Sequence, residues 1–205
     1  MIIVKFTSGL GNQMFQYNLY SFLKEKYPGT EVKADITWFN TNDEHHGFEL
    51  RRIFENVHGS KFSIEEAGIR EIYRASGQIP TPVKGRFAKL IRPVFGHINR
   101  RLREAGKCEK NGIVLDQLKG KIDHETLCNL DTTKNHHIFG FFVEEVYYRD
   151  RLDKIRSELV FPPLTGENET IAKKMQAGQS VSIHVRRGDY LSAKYSDRFL
   201  SLDRS

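Results

Sequence analysis

The chain has 205 residues, 39% of them hydrophobic and 28% charged, with six Pro and two Cys. A chain of this size buries about 70% of its unfolded surface, and its balance excludes collagen, coiled coil and wholesale disorder. The net charge is +6, the mean hydropathy is negative, and no apolar run approaches the ~20 residues of a membrane-spanning helix.

The opening MIIVKFTSG shows no basic leader and no apolar stretch of signal length. Cys108 and Cys128 are isolated thiols without metal or redox spacing, which predicts a reducing, cytoplasmic setting. Ile2–Phe6 reads as a short buried strand ending in the turn-rich TSGLGNQ. Helical periodicity then runs from Met14 to Lys26, where Pro28-Gly29 stops it. Glu31–Phe39 is predicted as a second strand, which completes a β-α-β unit. The stretch from Asn40 to Val57 is polar and irregular and carries GFELRRIF.

Residues 60–135 are predicted to be mostly helix and loop. Within them, residues 81–110 hold nine Lys/Arg against two acids, a net of +7 that leaves the remaining chain near −1. A charge excess confined to one segment argues against nucleic acid as a partner. Phe87, Leu90, Ile91, Val94, Phe95, Ile98 and Leu102 recur there at spacings of three and four, one face of a helix interrupted or kinked near Pro93. Such a helix packs on its own domain with a basic rim, or lies on an anionic membrane surface at the inner leaflet.

A third strand is predicted at His137–Phe142, a helix from about Glu144 to Leu159 ending at Pro162-Pro163, a helix from about Gly166 to Ala177, and a last strand at Ser180–Val185. Strands alternating with helices predict an α/β fold with a mainly parallel sheet covered on both faces. The expected organisation is an α/β domain over residues 1–179 with a helical insertion at about 60–135, and the start of an incomplete nucleotide-binding half over 180–205.

Two loops follow predicted strands and carry candidate chemistry. Ser8-Gly9-Leu10-Gly11-Asn12-Gln13 precedes a helix, where glycines let a ligand approach the backbone and the helix N-terminus favours an anion. It is neither a dinucleotide fingerprint, since Met14 stands at the third glycine position, nor an NTPase phosphate loop. In His184-Val185-Arg186-Arg187-Gly188-Asp189, strand alternation puts His184 and Arg186 on one face. Paired arginines after a buried strand either face water with Asp189 as ion-pair partner or hold an anion bidentately. Glu44-His45-His46 and His136-His137 lack a spaced ligand partner and read as surface residues rather than a metal site. The aromatics of Phe139–Tyr148 read as core rather than a sugar platform.

TSGLGNQMFQY, GFELRRIF, GFFVEEVYYRD and VSIHVRRGDYLS, in that order, resemble the inverting alpha-1,2-fucosyltransferases of glycosyltransferase family 11. The H-x-R-R-x-D motif in the last phrase is shared more widely among fucosyltransferases. The resemblance implies a GT-B-like architecture, GDP-fucose as donor, a galactose-terminated glycan as acceptor, and no cofactor or metal ion. Carried over, it implies that Arg186 binds the donor diphosphate with Arg187 assisting. His184 and Asp189 would shape that loop, and Gly9, Gly11 and Asn12 would lie beside the donor. For the catalytic base, Asp189 and Glu145 remain alternatives. Val143 stands where the family usually has Gln, and the family's second half, which supplies much of the nucleotide pocket, does not follow the Arg loop here. The chain is therefore expected to be a truncated N-terminal portion. The competing expectations are a catalytically dead remnant with residual anion or glycan binding, and a basic peripheral membrane protein acting through residues 81–110.

Overall fold

The computed structural model describes residues 1–42, 46–104 and 112–183. The chain divides into two compact units, residues 1–162 and 163–205.

The first unit is built on a four-stranded, all-parallel sheet in the order β2-β1-β4-β3. β1 (Ile2–Lys5) is apolar and fully buried over Ile2–Val4, as expected of a strand covered on both faces, and closes on Lys5. It pairs with β2 (Val32–Asp35) on one side and β4 (His136–Phe139) on the other, with Ile2 opposite both Val32 and His136. β3 (Ile113–Asp116) forms the far edge beside β4.

Both faces are covered by helices. Ile2, Val4, Val32, Ala34 and Ile138 pack into the larger core with Leu19 and Leu23 of α1 (Leu10–Lys26). Ile3 packs on the opposite face against Ile72 and Ala75 of α3 (Ile69–Ser76). α2 (Glu49–Phe54) lies on the α1 side through Leu50 and Phe54, and α5 (His124–Cys128) does so through Leu127. On the α3 side Lys33 is held by Glu71 at 2.6 Å and Glu65 at 3.1 Å.

α4 (Arg86–Glu104) is continuous through Pro93. It is anchored by Asn99, whose amide exchanges two hydrogen bonds with the backbone of Ile79 (2.8 and 2.9 Å). Its start is tied to the turn after β2, because the Asn40 carbonyl accepts from Gly85 N at 3.3 Å, and Asn40 Nδ2 also holds Thr81 O at 2.8 Å. After β4 come two 3-10 turns, Glu145–Tyr147 and Arg149–Arg151, and then α6 (Leu152–Glu158). In the second unit the described residues form one helix, α7 (Gly166–Gln176).

The parallel α/β arrangement agrees with expectation; several boundaries do not. The second strand ends at Asp35, because Thr37 folds back to cap that carboxylate and Thr37–Asn40 becomes a 3-10 turn. The third predicted strand starts and ends earlier, at His136 and Phe139, since Gly140–Phe142 turn out of the sheet. β3 was expected to be helix or loop. It is a four-residue edge strand whose entry is fixed by Gly112: a Cβ there would lie 2.5 Å from Ala75 O and 2.9 Å from Asn135 O. The single helix expected over Glu144–Leu159 is broken into turns because Asn18 Nδ2 (2.8 Å) takes the Tyr147 carbonyl out of any helical ladder. Of the last predicted strand, residues 180–183 are not in a strand, and the rest lies outside the described residues.

Candidate functional site

In parallel α/β sheets ligands sit beyond the carboxyl ends of the strands, so that edge of the first unit is where the site is sought. β1 runs out through Phe6 and Thr7 to Ser8, which adopts φ 65°, a left-handed conformation uncommon for a residue with a side chain. Gly9 caps α1 in extended geometry, so Gly11 and Asn12 belong to the helix's first turn rather than to a loop ahead of it.

Two fully buried glutamines fasten this turn. Gln13 donates to Ser8 O (2.7 Å) and Gly47 O (3.0 Å) and accepts from the N–H groups of Glu49 and Leu50 (2.8 and 3.3 Å). Gln16 accepts from Thr7 N (2.9 Å) and donates to Thr7 Oγ1 (3.2 Å) and Gly140 O (2.9 Å). The Leu10 N–H donates to Glu49 Oε2 at 3.1 Å. A carboxylate of the chain itself thus occupies the favourable position at the helix N-terminus, and any anion beside Gly9 and Gly11 must approach past it. Gly11 is exposed with open space where a Cβ would stand, and the half-buried Asn12 amide has no hydrogen bond among the described residues.

The β4 exit is equally constrained. Phe142 is fully buried at φ 52°, and such a conformation in a bulky residue persists only where its surroundings enforce it. Gln117 does so by accepting from the Phe141 and Phe142 N–H groups (2.8 and 3.0 Å) while donating to Glu144 (3.1 Å). Gly140 lacks a side chain of necessity, since a Cβ would come within 2.6 Å of the Gln117 Cβ. Val143, at the position of the expected Gln, is exposed. Phe142 and Tyr147 are core, as expected. Glu145 is exposed and paired at 2.9 Å through both oxygens with Arg149, whose guanidinium holds the carboxyl below its ordinary range. An apolar groove of about 350 Å³ runs between Met14 and Phe15 of α1 and Tyr148, Leu152 and Ile155.

A second, polar cavity of about 310 Å³ lies on the α3 side of the same edge. Lys5 ends β1 and Asp35 ends β2, while His137 projects from β4 opposite Ile3; α4 contributes Arg92, Phe95 and Asn99. Asp35 is 1% exposed. Its Oδ1 accepts from Thr37 N (2.9 Å) and Thr37 Oγ1 (2.5 Å), and its Oδ2 lies 3.0 Å from His137 Nε2. Burial pushes the Asp35 carboxyl up. The His137 hydrogen bond, the Lys5 charge and the Thr37 hydroxyl outweigh it and hold the group at about 2.

Neither histidine of the His136-His137 pair is at the surface, contrary to expectation: they are 2% and 6% exposed. Strand alternation sends them to opposite faces. His136 Nε2 pairs with Asp131 O at 2.8 Å and its Nδ1 is sealed without a partner among the described residues, while His137 faces the polar cavity. Among the described residues no three His, Cys, Asp or Glu side chains gather as a metal site.

Of the sequence candidates, Gly9, Gly11 and Asn12 sit together at the start of α1. Glu145 lies in the segment after β4, which meets α1 through the Phe15–Tyr148 ring contact at 5.2 Å. His184, Arg186, Arg187 and Asp189 lie outside the described residues, as do Glu44, His45 and Cys108. Lys5 and Asp35 are not among the sequence candidates, and His137 is among them only as a surface residue of the His136-His137 pair. A charged residue closing an apolar strand would have been the signal, and Lys5 and Asp35 meet it only with the observed strand ends, since the predicted strands run on to Phe6 and Phe39. On α4, Ala88 is buried, whereas Phe87, Leu90 and Val94 are 75%, 74% and 57% exposed, and Arg86, Arg100 and Arg101 of the same helix are exposed too.

Compared with known proteins, the chain matches no family model and no solved structure. An alpha-1,2-colitosyltransferase of Escherichia coli is 24% identical over 197 residues, which are 94% of this chain and 56% of that protein. The chain therefore spans about half the length of the curated relative it matches.

Proposed function

We propose that this chain forms the first α/β half of a GT-B-like, inverting alpha-1,2-glycosyltransferase that transfers L-fucose, or a closely related deoxysugar, from a GDP-linked donor to the 2-hydroxyl of a galactose-containing glycan. The observation that carries the reading is the match along 94% of the chain to a transferase forming an alpha-1,2 linkage. The parallel sheet and its tightly braced carboxyl edge are consistent with it. Fucose rather than colitose rests on the four-phrase resemblance alone, and metal independence rests on it too.

In this reading the glycosidic C–O bond to the diphosphate breaks through an oxocarbenium-like state, and negative charge grows on the departing GDP. Arg186, with Arg187, meets that charge as a group fixed in advance. Asn12, whose amide is unengaged among the described residues, lies on the donor side with Gly9 and Gly11. For Glu145 to serve as base it must first leave Arg149; Asp189 remains the other candidate.

The test is donor-dependent transfer to lactose by the 205-residue chain, with GDP-fucose and a nucleotide-activated colitose compared in the presence of EDTA. Transfer is expected with one of them, and Arg186→Ala is expected to lower it about a hundredfold. A folded chain that neither binds nor uses either donor removes the reading that these 205 residues hold a working donor site.

The exposed face of α4 favours a second property. We infer that it lies on an anionic membrane surface, its Phe87, Leu90 and Val94 stripe entering the interface while Arg86, Arg100 and Arg101 meet lipid headgroups. Each basic residue near such a surface contributes about 1 kcal/mol. Reversing Arg100 and Arg101 to Glu is therefore expected to weaken co-sedimentation with phosphatidylserine vesicles by more than about tenfold. Unchanged partitioning removes the membrane reading.

A further inference from the structure

We propose that the polar cavity beneath α4 is the acceptor-sugar site, in which His137 Nδ1 accepts the hydrogen of a sugar hydroxyl and Asp35 is its positioning residue. This rests on the glycosyltransferase reading and supplies its acceptor side.

The topology assembles the site from separate strands. Lys5 stands opposite Asp35 in register, and His137 stands opposite Ile3. Alternation therefore puts all three polar side chains on the α3 face at one end of the sheet. Asp35 does not meet a ligand itself, because Thr37 occupies one oxygen and His137 the other. An ionised carboxylate only accepts, so Nε2 of His137 carries the proton and donates. In the neutral ring, Nδ1 is then the acceptor, and no described residue hydrogen-bonds to it. His136, by contrast, has its free Nδ1 sealed on the other face and reaches no cavity.

The lining suits a sugar. At about 310 Å³ the space lies near the small end of ligand pockets. Lys5 and Arg92 line it as donors and Phe95 adds a ring, while the Thr37 and Ser76 hydroxyls already donate to Asp35 and to Ile72 O within the chain. An anion would have to settle beside the buried Asp35 carboxylate.

The transfer step balances through these groups. The acceptor oxygen forms a bond to the donor's anomeric carbon as its proton passes to His137 Nδ1, which takes the base role in place of Glu145 or Asp189. The anomeric C–O bond to phosphate breaks, and its electron pair leaves on the nucleotide diphosphate. The imidazolium so formed stays hydrogen-bonded to the Asp35 carboxylate, the arrangement by which a carboxylate orients and stabilises a histidine base.

The experiment is long-range 1H–15N spectroscopy of the histidine-labelled chain, which reports for each ring nitrogen whether it bears a proton. Methyl β-galactoside is expected to move the His137 Nδ1 signal, with inorganic phosphate leaving it in place. Asp35→Asn is nearly isosteric, and its amide turns toward Nε2. It is expected to shift the proton to Nδ1 and remove the galactoside response while the spectrum stays dispersed. No response to galactoside in the folded wild type, or a response to phosphate instead, overturns the proposal. In the transfer assay His137→Gln is expected to lower kcat about a hundredfold with KM little changed, and an unchanged kcat overturns the base role. Galactoside binding at His137 without transfer from any donor would sink the transferase reading and leave the sugar site. Transfer that survives His137→Gln would do the reverse.

Discussion

Replacing Gln16 by alanine is expected to cost about 3–5 kcal/mol of folding stability. The side chain is fully buried and holds three hydrogen bonds, two to Thr7 and one to the Gly140 carbonyl. Truncation leaves the Thr7 N–H and the Gly140 C=O buried without partners, each costing about 1–3 kcal/mol, and adds a cavity beneath α1. Because domains of this kind are stable by only about 5–15 kcal/mol, the variant should unfold at a much lower urea concentration with an unchanged slope. Gln16→Glu retains the acceptor toward Thr7 N but loses the donor toward Gly140, so an intermediate loss is expected. A loss below about 1 kcal/mol for Gln16→Ala would mean that water replaces the amide, and that the exits of β1 and β4 are braced independently.

That bracing was only partly legible in the sequence. The apolar runs at Ile2–Val4 and at Ile138 announce a parallel sheet because strands buried on both faces need no alternation. β3 was hidden because it is four residues long, partly exposed, and adjacent to a basic segment that reads as helix. Its place depends on the close approach of Gly112 to Ala75 O, a tertiary contact with no local signature. Gln13 and Gln16 were visible only as part of a phrase shared with a family. Nothing in their own spacing says that they are sealed and bonded to residues 36 and 124 positions away.

The site divides in the same way. Gly9, Gly11 and Asn12 were legible because glycine before a helix has a local physical meaning. What could not be read is that Glu49, from a different element, already holds the first N–H of that helix. His136 and His137 were read as surface residues because adjacent histidines usually are. On a strand covered on both faces, adjacency means opposite sides of the sheet and burial for both. Asp35 was masked by the expectation of a strand running on to Phe39, which made it interior rather than terminal. Its true place at a strand end appears only once Thr37 is seen to cap it.

Asp35 also carries the second large expected effect, and here the pH dependence fixes the sign. Its carboxyl is held at about 2 in the folded chain against an ordinary value of 3.8. Folded below unfolded means that the group contributes stability wherever the unfolded chain would be ionised, above pH ~4, and that this contribution is lost as pH falls toward ~2. The displacement corresponds to about 2 kcal/mol. Asp35→Asn should therefore be less stable than wild type by about 2 kcal/mol at neutral pH, with the difference shrinking between pH 4 and pH 2. Asp35→Ala should lose more, about 3–5 kcal/mol, because Thr37 N, Thr37 Oγ1 and His137 Nε2 are then all stranded in a buried setting. Thermal unfolding of the three chains from pH 7 to pH 3 measures both. A wild-type minus Asn difference that stays constant as the solution is acidified would mean that Asp35 is not ionised in the fold. His137 would then lack the anion that fixes its tautomer, and the cavity would lose its proton acceptor together with the stability.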